Sequence, residues 1–476
     1  KLGDAGWEAD SQNLSYKKGV RPEKGRNIAI AEWKVGKKYA DYALFVGLDF
    51  VGIVEAKRKN KDVVSDLGQA KIYSKLADIH GDENDVSAWG EYKVPFLFST
   101  NGRPFLKNLP EKSGVWFLDA RRSSNHPRAL QDWYTPQGLK DLLKLDESKA
   151  YDRLKTERFD YLTDSTGLGL RSYQVEAIQA VEKALSEGRR EVLIAMATGC
   201  GKTRLTIGLL YRLLKSDRFK RILFLVDRSV LGNQAADAFK DATLEDLLSF
   251  TETYDVKELK DKKPDVNTKV HIATVQGMVK RVFYNANETE IPNIDQYDCI
   301  LVDESHRGYI LDRELSEEEL AFKNEADYLG KYRRVLDYFD SVKIGLTATP
   351  AAHTLEIFRN IVYQYSYREA VIDGFLCDHE PPYLIDTQLK REGIQWKVGE
   401  EVTTYKVNTG EVEKVVLDDE MDIDIAGFNT KVVTENFNRA IVSELVKHLD
   451  PDSPEKTLIF AATDNHADMV VRLLKE

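Results

Sequence analysis

Val192-Leu193-Ile194-Ala195-Met196-Ala197-Thr198-Gly199-Cys200-Gly201-Lys202-Thr203 passes from an apolar, strand-like stretch through a glycine-bearing turn into a helical pattern. A buried strand, a tight turn and a helix start aim several backbone N–H groups at one point, the geometry that binds a phosphate chain. Lys202 is placed to reach the β- and γ-phosphates of a nucleoside triphosphate and Thr203 to ligate Mg²⁺, while Gly199 and Gly201 supply backbone conformations that side chains oppose. The first position of the usual G-x-x-x-x-G-K-[ST] spacing is Met196 instead of Gly. The stretch predicts nucleotide binding on an α/β fold.

Outward from it, short apolar runs recur at 192–195, 222–226, 270–273, 299–302 and 343–346, separated by helix-compatible segments. Continuous apolar strands with crossovers indicate a parallel, doubly wound sheet, which places its ligands beyond the carboxyl ends of its strands. Residues 1–150 carry strand patterns of their own at 42–46, 50–55, 95–100 and 114–119, with a helical stretch at 62–77. The organisation expected is an α/β domain over 1–150, a linker over 151–168 and a parallel-sheet domain over 169–375. A connector and the start of a further α/β domain fill 376–476. In that last part, 384–425 reads as connector or irregular strands, 456–462 as a strand and the residues from about 465 as a helix. The Glu- and Lys-rich 312–331 reads as a solvated helical insertion.

The 476 residues are too many for one ordinary core. With 31% charged and 42% hydrophobic residues, and no run near the ~18 apolar residues of a membrane span, the composition is that of a soluble protein with no membrane partner. A net charge of −11 argues against bulk adhesion to nucleic acid and leaves a local basic groove open. Cys200, Cys299 and Cys377 are widely spaced, which suits a reducing cytoplasm and neither a disulfide framework nor a metal cluster. The chain starts at Lys1 and stops at Glu476 within a helical pattern, which predicts truncation of a longer polypeptide at both ends.

After Lys202, the next carboxylates at a strand end are Asp303 and Glu304, in Cys-Ile-Leu-Val-Asp-Glu-Ser-His, 299–306. An Asp there holds Mg²⁺, and the adjacent Glu can orient the attacking water. In the first domain, 39–57 reads as a hairpin turning near Leu48. With the turn centred on 48, paired positions sum to 96 and Asp41 faces Glu55, about 5 Å across the strands. Lys57 projects from the same face as Glu55. Two carboxylates can share Mg²⁺ and a lysine can stabilise the charge of a phosphoryl transition state, so the trio predicts phosphodiester hydrolysis. Gln69 and Tyr73 share a helix face at i, i+4. Arg58, Lys59 and Lys61 form a basic cluster alongside.

The loop 196–203, Asp-Glu-Ser-His at 303–306, Thr-Ala-Thr-Pro at 347–350 and Leu-Arg-Ser-Tyr-Gln at 170–174 resemble the superfamily 2 helicases and translocases in content and order. That resemblance implies adenine recognition by Gln174, coupling of ATP hydrolysis to DNA movement through His306, Thr347 and Thr349, and DNA-backbone contacts near Arg228, Thr274 and Gln276. It also implies a second RecA-like lobe with an arginine finger, for which no place remains before Glu476, so weak or absent turnover is expected of this stretch alone. Asp41, Glu55 and Lys57, with Gln69 and Tyr73, resemble the PD-(D/E)xK nucleases that carry a Q-x-x-x-Y element. The further acidic residue of some such sites has only Glu8 as a poor candidate. A PD-(D/E)xK nuclease domain before a RecA-like motor domain and the start of a second RecA-like domain resembles the restriction subunit of type I restriction-modification enzymes. The resemblance implies ATP-driven translocation of double-stranded DNA, Mg²⁺-dependent cleavage away from the recognition site, and assembly with methyltransferase and specificity subunits. The competing readings are a DNA-repair helicase with an inactive nuclease-like domain and an ATP-switched DNA-binding module without turnover.

Overall fold

Two short glycine turns organise the first sheet. Gly36 at φ 58° joins β1 (Asn27–Val35) to β2 (Lys38–Val46), and Gly47 at φ 64° joins β2 to β3 (Asp49–Ala56). Positive φ at a loop position is a glycine conformation. The three strands are antiparallel and bury both faces, with Ile28, Ile30 and Trp33 in one core and Ala29, Leu44 and Val54 in the other. In this computed structural model the described residues are all but 62, 64–66, 78–88, 107, 108, 110, 111, 227, 228, 245–247, 259, 260, 262, 286–289, 304–324, 351, 380–393, 406–411, 417–420, 424–434, 451, 454, 455 and 462.

The hairpin register differs in detail from the expectation and agrees in its consequence. Val46 pairs with Asp49 and Phe45 with Phe50, so the turn is centred between Gly47 and Leu48. The register then shifts by one, leaving Val51 as the extra residue, and Leu44 pairs with Gly52, Ala43 with Ile53 and Tyr42 with Val54. Such a bulge inserts one residue into one strand. Beyond it the partners sum to 96, and continuing the ladder sets Asp41 across from Glu55.

From β3 the chain crosses through α1 (Leu67–Leu76) into β4 (Phe96–Thr100), which pairs parallel with β3. β5 (Val115–Asp119) and β6 (Arg128–Ala129) follow antiparallel, giving the order β1-β2-β3-β4-β5-β6. α1 begins later than the expected 62, and its Leu67, Ala70 and Tyr73 face the core of β1 to β3.

After α2 (Pro136–Lys144), residues expected to be a linker form α3 (Glu147–Thr156) and α4 (Asp160–Thr163). Tyr151, Leu154, Leu162 and Leu168 are buried in the core of the second sheet. This stretch is a packed buttress. Its apolar residues are too few and too widely spaced to advertise burial, and the reason for it is a distant cation. Arg212, whose side chain is 0% exposed, donates to the Leu154, Glu157 and Arg158 carbonyls and pairs with Glu182.

The second sheet then builds in order: α5 (Ser172–Ser186), β7 (Glu191–Met196), α6 (Lys202–Lys215), β8 (Ile222–Val226), α7 (Ser229–Asp241), α8 (Phe250–Thr253), β9 (Val256–Lys257), β10 (Val270–Thr274), α9 (Val275–Phe283), β11 (Cys299–Val302), α10 (Glu325–Tyr338), β12 (Val342–Thr347), α11 (Ala352–Phe358), β13 (Ile361–Tyr365) and α12 (Tyr367–Ile372). All of its pairings are parallel, in the order β13-β7-β12-β11-β8-β10-β9. The five expected strands are present, and β9 and β13 are additional. Both sheets belong to one compact unit, Lys1–Cys377. Of the expected insertion, 312–324 lies outside the described residues and the remainder opens α10.

The second unit, Asp378–Glu476, contains two antiparallel strand pairs, Ile394–Trp396 with Met421–Ile423 and Glu401–Tyr405 with Val412–Val416. Two helices, Glu435–Val446 and Asp464–Lys475, pack through Val442, Val470 and Leu473. Of the strand expected over 456–462, residue 462 lies outside the described residues and 456–461 form no strand among them. Residues 456–461 have no ladder partner among the described residues, and Leu458 and Phe460 are 77% and 88% exposed. An apolar run becomes a strand only where a neighbour accepts its backbone hydrogen bonds. Among the described residues no helix is long and apolar enough to cross a membrane.

Candidate functional site

Two constellations occupy strand ends within the first unit. In the first, Asp41 enters β2 beside the end of β3, and its Oδ2 accepts the backbone N–H of Ala56 at 2.7 Å. Glu55 is 1% exposed, and its Oε1 has no hydrogen-bond partner among the described residues. Burial, and then the neighbouring Asp41 charge, push its pKa up to about 7 against the opposing pull of Lys57. Lys57 Nζ donates to Glu55 Oε2 at 3.3 Å and to Gln69 Oε1 at 3.4 Å, and Gln69 Nε2 donates to Tyr73 OH at 2.7 Å. The five side chains expected to act together are therefore contiguous. Gln69 thus bridges Lys57 and Tyr73, and Tyr73 is 4% exposed. Glu8 is tied up elsewhere, in an ion pair with Arg26 at 2.6 Å on a segment that bridges to Ile28.

A buried carboxylate whose pKa is raised and whose oxygen lacks a partner is what a cation would relieve. Asp41 and Glu55 fit a divalent metal in that sense. Among the described residues there is no cluster of three or more acidic, His or Cys ligands, so the remaining positions would fall to water and substrate oxygens. That division suits Mg²⁺, which commonly keeps one or two carboxylates, several waters and phosphate oxygens.

The second constellation lies along the carboxyl edge of the parallel sheet. β7 delivers Met196 into the turn, and Gly199 at φ 87° and Gly201 at φ 74° carry the chain into α6, which starts at Lys202. Lys202 Nζ lies 3.5 Å from the Met196 carbonyl, and Thr203 is exposed in the first turn. Gln174 is 2% exposed, and its amide is committed to the loop. Nε2 donates to the Cys200 and Gly201 carbonyls at 3.2 and 2.8 Å, and Oε1 accepts from Arg171 N. Tyr173 adds a bond to the Cys200 carbonyl and stacks on Tyr365, ring centroids 4.1 Å apart. In this structure Gln174 shapes the phosphate loop; its expected adenine contact would require the amide to change partners.

Thr347, at the end of β12, is in register with Ala195 of β7, and its Oγ1 accepts from Thr349 N at 3.2 Å. Asp303 follows β11, and its N–H bonds to the Leu225 carbonyl. Thr274 Oγ1 accepts from Gly277 N at 3.0 Å as the cap of α9, with Gln276 in the first turn. A threonine cap does not need a nucleic acid to explain it. Glu304, His306 and Arg228 lie outside the described residues.

The pattern missed from sequence is the seam between the sheets. Asp340, just before β12, accepts from Arg128 of β6 at 2.6 Å through both oxygens, and also from Arg190 before β7 and from Tyr134. Asp295 accepts from Thr135, and Ile294 sits in the core of the first sheet. No short-range pattern marks such partners, because they come from opposite ends of the unit.

Fold and sites define a helicase-like phosphate-loop protein joined to a second α/β module. A family model described as the type I restriction enzyme EcoKI endonuclease subunit second domain matches residues 8–143, and one described as type III restriction enzyme, res subunit, matches 167–352. The chain is 45% identical to the type I restriction enzyme EcoKI endonuclease subunit of Escherichia coli (strain K12), covering 100% of this chain and 42% of that protein. It is 27% identical to the EcoAI endonuclease subunit of Escherichia coli, over 99% of this chain and 52% of that one. A Staphylococcus saprophyticus subunit, SsaAORF53P, is 26% identical over 52% of this chain and 25% of its own. The chain belongs to the endonuclease subunits of type I restriction enzymes. It spans about half or less of the length of these relatives.

Proposed function

We propose that this chain carries the DNA-cleaving site and the first motor lobe of a type I restriction endonuclease subunit. The first sheet is a PD-(D/E)xK nuclease domain, the parallel sheet is a RecA-like lobe, and the second unit opens the next lobe. The carrying observation is the coexistence, in one compact unit, of a buried Glu55 carboxylate oxygen without a partner among the described residues, beside Asp41 and Lys57, with a glycine-shaped phosphate loop. Asp41 and Glu55 hold Mg²⁺, which when bound supplies a Lewis acid and an activated water. Lys57, steadied by Gln69 and Tyr73, stabilises developing charge on the scissile phosphate. The phosphate loop, with Lys202, Thr203 and Asp303, binds Mg²⁺·ATP, and Glu304 orients the hydrolytic water. His306, Thr347 and Thr349 couple hydrolysis to movement, and Arg228, Thr274 and Gln276 touch the DNA backbone. Double-stranded DNA is the substrate, target choice resides in methyltransferase and specificity subunits of the same complex, and the enzyme works in the cytoplasm.

The raised pKa of Glu55 favours this reading over a helicase with an inert nuclease-like domain, because a decayed site has no reason to keep a buried carboxylate unsatisfied. The test is plasmid cleavage and ATP hydrolysis by the full-length subunit assembled with its partners. Asp41→Ala loses cutting and keeps hydrolysis; Lys202→Ala loses both. Normal cutting by Asp41→Ala would remove the nuclease assignment, and ATP-dependent DNA affinity without phosphate release in the wild type would favour a switched binding module.

A further inference from the structure

One end of the first sheet gathers cations around Asp41 and Glu55. Because β2 runs antiparallel to both neighbours, the β1–β2 turn and the segment leaving β3 emerge at the same end. The turn carries exposed Lys34, Lys37 and Lys38; the segment carries exposed Arg58, Lys59 and Lys61. Lys17 and Lys18 follow Ser15 alongside β1. Ser15 bridges to Ala31, and Lys17 pairs with Glu32 at 2.6 Å while sitting 5.1 Å from the centre of the Tyr39 ring. Tyr39 is 46% exposed, two residues before Asp41. Among the described residues, Lys18, Lys34, Lys37, Lys38, Arg58, Lys59 and Lys61 have no carboxylate within ion-pair distance. In a chain of net charge −11, this is a concentrated positive rim around the two carboxylates.

Resting on the cleavage reading above, we propose that this rim is the nuclease's own duplex-DNA backbone cradle, with Lys34, Lys37 and Lys38 holding phosphates on one side of the scissile bond and Arg58, Lys59 and Lys61 on the other. The spacing agrees with that role. At ~3.3 Å per strand residue, Lys37 stands roughly 13 Å from Asp41 along β2, about four nucleotide steps of one DNA strand. Lysines are point charges without base-reading geometry, which fits cleavage that ignores sequence. Each phosphate contact steepens the salt dependence of binding, and its loss flattens the slope of log K against log salt by about 0.9.

The experiment measures affinity of the full-length subunit for a duplex lacking any recognition site, in Ca²⁺ to suppress cutting, across a salt series. Lys34→Ala/Lys37→Ala/Lys38→Ala is expected to weaken binding at least tenfold and to flatten the slope by about 2 to 3, with arginine at all three positions restoring both. An unchanged slope and affinity would overturn the proposal, as would equal weakening by the arginine variant. Asp41→Ala, run alongside for plasmid cleavage, judges the cleavage reading separately: if it still cuts while the lysine variant loses slope, the cradle stands and the catalytic assignment falls.

Discussion

Asp340 of the parallel sheet receives both Nε and Nη2 of Arg128 from the first sheet at 2.6 Å each, across 212 residues of sequence. Its side chain is 4% exposed. Arg190, before β7, bonds the same carboxylate, so one buried charge ties β6 to the amino ends of β7 and β12. The opposite ends of those two strands carry the phosphate loop and Thr347. The first sheet is therefore bolted to the two strands whose far ends carry the 196–203 loop and Thr347.

Breaking that bolt should loosen the unit. Burial would raise the Asp340 pKa, but the Arg128 and Arg190 guanidiniums overcome it and hold the carboxyl well below the usual range. A depressed pKa contributes stability above the unfolded carboxyl value near 4 that is lost as pH falls below it. Asp340→Ala is expected to cost about 3–5 kcal/mol at pH 7, the range for one missing partner of a buried pair. Arg128→Ala should sit at the low end, since Arg190 remains. The loss in Asp340→Ala, read from denaturant melts, should shrink at pH 3; an equal loss at both pH values would mean the pair is not what holds the seam.

Glu55 titrates in the opposite sense. With its pKa raised to about 7, the metal-free protein holds a proton there that the unfolded chain releases near 4.5. Stability from this site is present at low pH and declines as pH rises through 7. Mg²⁺ competes with the proton, so it should raise Tm more at pH 8 than at pH 6, and Glu55→Gln should abolish that difference. A pH-independent Mg²⁺ shift in the wild type would place the metal elsewhere.

A methyl group at Gly201 would have to displace the Gln174 amide. A Cβ there would lie 2.7 Å from Gln174 Nε2, at a φ of 74°. The left-handed conformation alone costs a side chain about 1–2 kcal/mol. Gly201→Ala should weaken ATP binding about tenfold or more, as measured with a fluorescent analogue, and Gln174→Ala should weaken it by loosening the same turn. Unchanged affinity in both would show that the Gln174 clamp does not set the loop.

Arg212 holds the buttress over 147–163. Its fork bonds Glu182 at 2.6 Å and three carbonyls while the guanidinium lies 3.8 Å from the Phe159 ring centre. Arg212→Ala should cost about 3–5 kcal/mol and open 151–168 to trypsin, and Arg212→Lys should not rescue it, because an ammonium cannot replace the fork. Resistance of the Ala variant to proteolysis at wild-type levels would show that the segment stays packed without Arg212.

Sequence by itself determined what is local. Apolar runs of strand length marked β7, β8, β10, β11 and β12, paired glycines around Cys200 marked the phosphate loop, and the alternation from Asp41 to Lys57 placed two carboxylates and a lysine at adjoining strand ends. These readings depend on backbone conformation and on periods of a few residues, which any window of sequence contains. Only the tertiary structure decided which long-range partners meet: Arg128 with Asp340, Arg212 with the Leu154, Glu157 and Arg158 carbonyls, and Gln174 with the Gly201 carbonyl. It also decided that, among the described residues, 456–461 has no ladder partner and Glu55 Oε1 no hydrogen-bond partner. Burial and strand pairing are properties of the assembled chain, and a charged residue in sequence looks the same whether it ends in solvent or inside a seam.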